Sequence, residues 1–197
     1  MNREKFQLQQ YSIEAIIGKI EANDFVIPEI QRPFVWKRRQ VRDLIDSLFR
    51  GYPTGYIITW KNPDIRTKDG GLSKGRNILI GGQQRITALM TALAGIPVID
   101  NDFNKRRIKI AYNPQEERLE VQDAAHLKDK RWIPDIAKLF DPSFDLFNFV
   151  NNYVKINPDC QPGDISKSVI KIQEIKNRQI GVIELDNSLD IEEVNLI

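Results

Sequence analysis

The hydrophobic residues of the chain fall into short apolar runs, typical of buried strands, and longer stripes with helical spacing. The clearest succession covers residues 77–93. An apolar run at residues 78–80 predicts a buried strand, and the helix that follows is predicted by a stripe of Ile86, Leu89, Met90 and Leu93. Between them lie two glycines and a polar triplet: Gly81, Gly82, Gln83, Gln84 and Arg85. The pattern therefore predicts a strand, a glycine turn and a polar helix N-terminus.

The same patterns along the whole chain predict an α+β fold. The expected core is a small mixed sheet with strands near residues 26–30, 56–60 and 78–80, packed by helices near residues 12–22, 38–50 and 84–94. A hairpin near residues 107–112 and 118–122 follows. From about residue 132 the pattern is more helical, with helices near residues 143–155 and from residue 164, and a last strand at residues 179–185. We predict a core domain over residues 1–130 and a helical extension over residues 131–197.

The amino-acid composition excludes several classes of protein and of functional site. Charged residues are 28% of the 197 positions, but the net charge is only +2, which argues against a generic polyanion binder. Cys160 and His126 are the single cysteine and histidine, so an internal disulfide framework is excluded and a Cys/His zinc site is nearly excluded. Chemistry would have to use carboxylates, amides, cationic side chains, hydroxyls or the backbone, and we assign no protein metal site.

The chain also lacks the apolar segments that target proteins to membranes. No apolar run approaches the roughly 20 residues that span a bilayer, and the first residues lack the apolar core of a signal peptide. We therefore expect a soluble, cytoplasmic protein without membrane partners. Residues 190–197 resemble the first turns of another helix, so we expect the chain to continue in a longer protein.

The predicted helix N-terminus after the glycine turn suits an anion. Its first N–H groups lack partners within the helix, and the helix dipole is positive there. Glycine lets a ligand approach the backbone, the two glutamines can donate and accept, and Arg85 has a guanidinium fork that suits phosphate. The same pattern also fits a tight strand-to-helix turn whose polar residues are solvated.

A second group of polar and basic residues precedes and enters the helix near residues 38–50. Pro33 biases Arg32 away from helical geometry, so we expect Arg32 to project from an extended loop. The basic residues that follow fit either a solvated helix face or a phosphate-facing edge, and comprise Lys37, Arg38, Arg39 and Arg42. We take Arg38, Arg39 and Arg42 as the candidate DNA-binding residues. A later basic cluster, Lys105, Arg106, Arg107 and Lys109, is expected to be solvated.

Three blocks together resemble a known family. They are Ile-Pro-Glu-Ile-Gln-Arg-Pro-Phe-Val-Trp at residues 27–36, Ser-Leu-Phe-Arg-Gly-Tyr-Pro at residues 47–53, and Leu-Ile-Gly-Gly-Gln-Gln-Arg-Ile-Thr-Ala-Leu at residues 79–89. In this order they resemble the amino-terminal domain of GmrSD-type, modification-dependent restriction proteins, which belongs to the ParB/sulfiredoxin-like group. The blocks span residues 27–89, and the order of predicted elements fits the whole chain.

The resemblance implies a nucleotide-binding and often NTP-hydrolysing domain in prokaryotic defence against phage and other foreign or modified DNA. It implies GTP, ATP or UTP as ligand, allows Mg²⁺ beside it, and implies DNA and a nuclease domain or subunit as partners; homo-oligomers are left open. By position, the nucleotide-binding residues would be Gln31, Arg32, Gly81, Gly82, Gln83, Gln84, Arg85 and Thr87, with Gln84 and Arg85 as catalytic candidates. We expect Arg32 and Arg85 to meet across the glycine turn.

One departure from the family pattern concerns hydrolysis. The family motif is Asp-Gly-Gln-Gln-Arg, and its aspartate falls on Gly81. A carboxylate there could hold a divalent ion or orient a water molecule, whereas glycine can do neither. Binding through the remaining residues is still expected. Hydrolysis would need another carboxylate, and Glu29, Asp43 and Asp46 are the candidates.

The sequence is also compatible with two other functions. One is a non-catalytic, ParB-like DNA-binding adaptor that uses the basic edge at residues 32–42, with an affinity that falls steeply with salt. The other is a sulfiredoxin-like phosphotransfer enzyme. The second rival is weak because the single cysteine, Cys160, lies far along the chain from the motif.

Overall fold

The computed structural model describes residues 4–27, 34–61, 76–99, 104–189 and 191–194. Its strands are β1 (Phe6–Ser12), β2 (Phe25–Val26), β3 (Tyr56–Lys61), β4 (Asn77–Gly81), β5 (Val98–Ile99), β6 (Lys105–Arg106), β7 (Ile110–Asn113), β8 (Arg118–Val121) and β9 (Gln179–Leu185). Its α-helices are α1 (Ile13–Glu21), α2 (Arg38–Phe49), α3 (Gln83–Ala92), α4 (Ala124–Lys128), α5 (Leu146–Ile156), α6 (Pro162–Gln173) and α7 (Ile191–Val194). Two short 3₁₀ helices cover Ile136–Leu139 and Glu174–Asn177. The predicted α+β class is confirmed.

Backbone contacts group the chain into two units. The first comprises Met1–Arg32, Pro53–Gln83 and Asn177–Ile197, and the second comprises Pro33–Tyr52 and Gln84–Lys176. Each unit is thus assembled from separated stretches of sequence. The division at residue 130 expected from the pattern concerns contiguous domains and stays a prediction.

The first unit contains a mixed five-stranded sheet in the order β1-β9-β3-β4-β2. The strands expected near residues 56–60 and 78–80 are neighbours and pair antiparallel, with Ile58 opposite Gly81. β9 pairs parallel to β3 and antiparallel to β1. The helix expected at residues 12–22 is confirmed as α1, and Ser12 caps it by accepting from Ala15 N at 3.1 Å.

One strand of this sheet was not predicted. β1 occupies Phe6–Ser12, where glutamines fall on both faces of the strand and leave no clean apolar alternation. The strand expected near residues 26–30 begins at Phe25 as β2, while residues 28–30 lie outside the described part of the chain.

In the second unit, β7 and β8 form the expected antiparallel hairpin. The first strand begins at Ile110 rather than at residue 107, because Ile108 N donates to the Thr91 hydroxyl at 3.0 Å instead of joining the ladder. Behind the hairpin, Tyr112 is buried, and its hydroxyl lies 2.7 Å from Ser168 Oγ on α6. Ser168 Oγ donates onward to Pro114 O at 2.7 Å. This buried network fixes the hairpin turn onto α6.

None of the helices that the structure describes has both the length and the apolar character needed to cross a membrane.

Candidate functional site

The strand, glycine turn and helix predicted around residues 77–93 are all present. β4 ends at Gly81, and α3 begins two residues later at Gln83. Gly82 joins them with φ of +80°, in the left-handed region that favours glycine. A β-carbon at this residue would also lie 3.2 Å from Ile57 Cγ1. The turn therefore depends on glycine for both its backbone geometry and its space.

Gly81 also has little space around it for a side chain. It faces Ile58 across the β3–β4 ladder, and a β-carbon at residue 81 would lie 3.0 Å from both Cβ and Cγ1 of Ile58. The position at which the family motif carries aspartate is thus occupied here by glycine next to a branched side chain. An aspartate would fit only if Ile58 gave way by a few tenths of an ångström.

Gln83 is the first residue of α3, and its side chain turns back onto the strand. The amide Nε2 donates to Leu79 O at 2.9 Å. A carbonyl of β4 is thereby bonded to the residue that starts the helix. Gln83 stays a candidate ligand residue, and in this structure it also stabilises the glycine turn.

Gln84 connects two of the three sequence blocks. Its Oε1 accepts a hydrogen bond from Val35 N at 3.0 Å. The preceding residue, Phe34, is buried, and its N–H donates to Ile99 O at 3.2 Å. The chain segment that follows Arg32 is therefore tied directly to the first turn of α3. The sequence suggested that these blocks converge, and Val35–Gln84 is a contact through which they do.

Arg85 and Thr87 are half-buried on the first turns of α3. Burial removes water from the Arg85 guanidinium and lowers its pKa from the ordinary value for arginine. The group stays charged at neutral pH, because arginine starts far above it. A charge that has already lost part of its hydration gains more from an anion than a fully solvated one does.

Three sequence candidates lie outside the described residues, namely Glu29, Gln31 and Arg32. The expected meeting of Arg32 with Arg85 therefore stays a prediction.

The basic candidates on α2 differ in their surroundings. Arg38 and Arg39 are exposed, whereas Arg42 is half-buried with its Nε 3.0 Å from Asp43. Asp46 Oδ2 also accepts a hydrogen bond from Arg50 Nε at 2.8 Å. Both α2 carboxylates proposed as substitutes for the missing aspartate are thus already in ion pairs.

The expectation that the later basic cluster is solvated is wrong for Arg107. Its guanidinium Nη2 lies 3.0 Å from the carboxylate of Asp135, whose side chain is only 8% exposed. The same guanidinium lies against Gly95, where a β-carbon would approach it to 3.2 Å. Asp135 also caps the 3₁₀ helix by accepting from Ala137 N. Arg107 therefore has a structural role.

The surroundings of the single cysteine and of the potential metal ligands limit the chemistry of the described residues. Cys160 is buried, and burial raises the pKa of its thiol, which disfavours the reactive thiolate. Within the described ranges, no group of three or more His, Cys, Asp or Glu side chains is placed to hold a metal ion.

The second unit also holds a cavity of about 610 Å³ that no sequence motif indicated. Its walls are mainly aromatic and aliphatic, and include Trp132, Ile133, Phe144, Phe149 and Tyr153. These residues lie about 50 positions or more beyond the glycine motif, and their spacing is that of ordinary core residues. A local pattern therefore could not identify them as the lining of a cavity.

Comparison with known proteins agrees with the three sequence blocks. A search of curated proteins gave no match. The model of the family described as "GmrSD restriction endonuclease, N-terminal domain" matches residues 13–197. This match extends from α1 through the glycine motif to the end of the chain. The chain therefore belongs to the family of GmrSD restriction endonuclease N-terminal domains and is a component of a restriction system.

Proposed function

We propose that residues 81–87 bind the phosphates of a nucleoside triphosphate, and that this binding regulates DNA cleavage by a nuclease domain or subunit of the same restriction system. Family membership supports a role in a restriction system. The residues of the motif support the ligand, since glycine, amide and guanidinium groups precede and open one helix.

The observation that carries the proposal is the 3.0 Å hydrogen bond from Val35 N to Gln84 Oε1. It attaches the segment that follows Gln31 and Arg32 to the same helical turn that presents Arg85. Arg32 precedes Val35 by three positions in the sequence, and we propose that it contributes to the same ligand site. Neither sequence block contains a complete phosphate site by itself. Residues of the two blocks can bind one ligand together.

The electrostatics of the helix start agree with an anionic ligand. The α3 dipole contributes about half a positive charge at this end. No acidic residue lies in the first turn of α3. Arg85 adds a full charge that is partly desolvated. A triphosphate would be stabilised by all of these groups without an opposing carboxylate on that turn.

Hydrolysis is a separate question from binding. Mg²⁺ normally takes one or two carboxylates in addition to the phosphates. Residue 81 supplies none, and the α2 carboxylates Asp43 and Asp46 are paired with arginines. The described residues therefore do not fit a magnesium site at the motif. We propose nucleotide binding and derive no hydrolytic step.

A panel of nucleotides tests the proposal. GTP, ATP and UTP are titrated against the protein by calorimetry with and without DNA, beside the matching nucleosides, and phosphate release is followed in parallel. We expect at least one triphosphate to bind and its nucleoside to bind at least tenfold more weakly. Equal affinity for nucleoside and triphosphate, or no binding of any triphosphate, would reject the phosphate site.

A second candidate function is the DNA-binding adaptor. The exposed Arg38 and Arg39 at the start of α2 favour it, because the first turn of that helix carries no acidic residue. This function predicts DNA affinity that falls steeply with salt and does not depend on nucleotide. Replacing both arginines with alanine should reduce the salt slope by about two. Unchanged DNA affinity in that variant would exclude this edge.

A further inference from the structure

The two edges of the five-stranded sheet are built differently. At one edge, β2 has only two residues, Phe25–Val26, and both are buried. At the other, β1 extends over seven residues, and among the described residues it pairs only with β9. Edge strands expose unpaired N–H and C=O groups, and proteins usually protect them by shortness, charge, proline or a bulge. The β2 edge is protected by its shortness.

The β1 edge has none of these protections. Residues 6–12 read Phe-Gln-Leu-Gln-Gln-Tyr-Ser, with no charged residue, proline or glycine. The register with β9 runs from Phe6 to Ser12 without a bulge. The strand is thus long, regular and uncharged, which makes it a good template for a further strand.

Apolar side chains next to this edge are exposed to solvent. Phe6 and Leu8 lie on one face of β1 and are 48% and 56% exposed. On the same face, Tyr56 is 57% exposed and its ring lies over Gly181 of β9, close to Leu8. An added strand would cover part of this apolar surface while pairing with the backbone of β1.

We propose that β1 pairs antiparallel with β1 of a second copy of this chain, about a two-fold axis at Leu8. In this register Leu8 faces the partner's Leu8, Phe6 faces the partner's Gln10, and Gln7 faces the partner's Gln9. The two sheets would join into one that runs through both copies. Each side chain keeps to its own face, because directly opposed residues of an antiparallel pair share a face.

Charge and hydrogen-bonding capacity favour a second copy as the occupant. A symmetric contact brings two copies of the same strand together, so a net charge on β1 would repel its copy, and β1 has no charged residue. Each glutamine amide carries two N–H groups and two acceptor lone pairs. Gln9 uses one of each within its own chain, donating to Glu184 Oε2 at 3.0 Å and accepting from the Tyr11 hydroxyl, and keeps the others for the partner's Gln7. At the flank, Lys5 is already paired with Glu193 at 2.8 Å and would lie opposite the partner's Tyr11.

The register has a direct chemical test. Directly opposed residues in an antiparallel pair have Cα atoms about 4.5–5.5 Å apart, within the range that a disulfide can bridge. In a Cys160→Ser background, Leu8→Cys should form a disulfide-linked dimer under mild oxidation. Gln10→Cys is the matched control, because each such residue would lie about 13 Å along the strand from its symmetry mate. We expect at least tenfold less cross-linked dimer from Gln10→Cys.

The pairing itself is tested by sedimentation of the unmodified chain over a range of concentrations. An edge contact of this size predicts weak self-association rather than a permanent dimer. Leu8→Lys places two ammonium groups at the axis and should weaken association at least tenfold. Phe147→Lys, at an exposed aromatic residue on α5, should leave it unchanged. Melting temperatures of both variants report whether the fold is intact.

Each outcome decides the proposal. A wild-type chain that stays monomeric at every concentration overturns it, and so does self-association that Leu8→Lys leaves unaltered. Equal cross-linking through Leu8→Cys and Gln10→Cys overturns the register. None of these results depends on nucleotide binding, so they leave the proposed function to its own test.

Discussion

Ile58 and Gly81 face each other across β3 and β4, and the side chain of Ile58 fills the space that a β-carbon at residue 81 would need. Three atoms of Ile58 would lie 3.0–3.1 Å from that carbon. The glycine that replaces the family aspartate is therefore packed against its neighbour. A carboxylate at residue 81 therefore requires Ile58 to move by a few tenths of an ångström.

This pair predicts a specific result for Gly81→Asp. Overpacking should destabilise the protein by about 1–3 kcal/mol. Ile58→Ala removes two of the three close atoms, so Gly81→Asp should cost less in that background. Chemical denaturation of the four proteins of the double-mutant cycle measures the difference, for which we expect a coupling of about 1 kcal/mol. Additive effects would contradict the contact. Phosphate release by the double variant then tests whether a carboxylate at this residue restores turnover.

Gly181 and Tyr56 form a second pair of this kind. A β-carbon at residue 181 would approach the Tyr56 ring to 2.5 Å, so the ring would have to move. We expect Gly181→Ala to lower the free energy of unfolding by about 1–3 kcal/mol in the wild type, and by clearly less in a Tyr56→Ala background. Urea unfolding of the four proteins makes the comparison. Equal costs in both backgrounds would show that the ring does not lie over this glycine.

The ion pair of Arg107 and Asp135 predicts a large effect far from the motif. Asp135→Ala leaves the arginine without its carboxylate and removes the cap of a 3₁₀ helix. We expect a loss of about 3 kcal/mol of stability. Arg50→Ala breaks a more exposed pair with Asp46 and is the control, with an expected cost clearly smaller than that of Asp135→Ala. Similar losses in the two variants would contradict the structural role of Arg107.

Asp141 predicts a pH dependence in acid. Hydrogen bonds from the side chain and backbone of Ser143 lower the pKa of Asp141 from its ordinary value. Because the folded pKa is below the unfolded one, this contribution is present above about pH 4 and is lost as the pH falls through the folded pKa. The stability difference between wild type and Asp141→Asn should therefore be constant from pH 5 to 7 and shrink below pH 4. Denaturation midpoints across this range measure it, and a constant difference throughout would contradict the hydrogen bonds.

The elements around the motif could be predicted because their patterns are local. Residues 78–80 form an uninterrupted apolar run, and the stripe from Ile86 to Leu93 has helical spacing, so β4 and α3 follow from the sequence. β1 could not be predicted in this way, since its place in the sheet depends on pairing with β9, more than 160 residues along the chain. α4 could not be predicted either, because its five residues are too few to show a helical period.

The candidate site likewise has features that the local sequence predicts and features that depend on long-range contacts. The glycine turn is predictable because Gly82 has the positive φ that such turns require. The bond from Val35 to Gln84 joins residues 49 positions apart, and only the family resemblance suggested that their blocks meet. The partnership of Arg107 with Asp135 is also long-range, so a local basic cluster was wrongly expected to be solvated throughout.

The central claim is that Arg85 and the turn before it bind the phosphates of a nucleotide. Its most direct test is the dissociation constant of the tightest-binding triphosphate for wild type, Arg85→Ala and Arg50→Ala at one ionic strength, with melting temperatures to confirm folding. Hydrogen bonds to charged groups contribute about 1.5–3 kcal/mol, so we expect Arg85→Ala to bind roughly 10- to 150-fold more weakly. Arg50→Ala should bind like wild type. Equal affinity of folded Arg85→Ala and wild type would contradict the account.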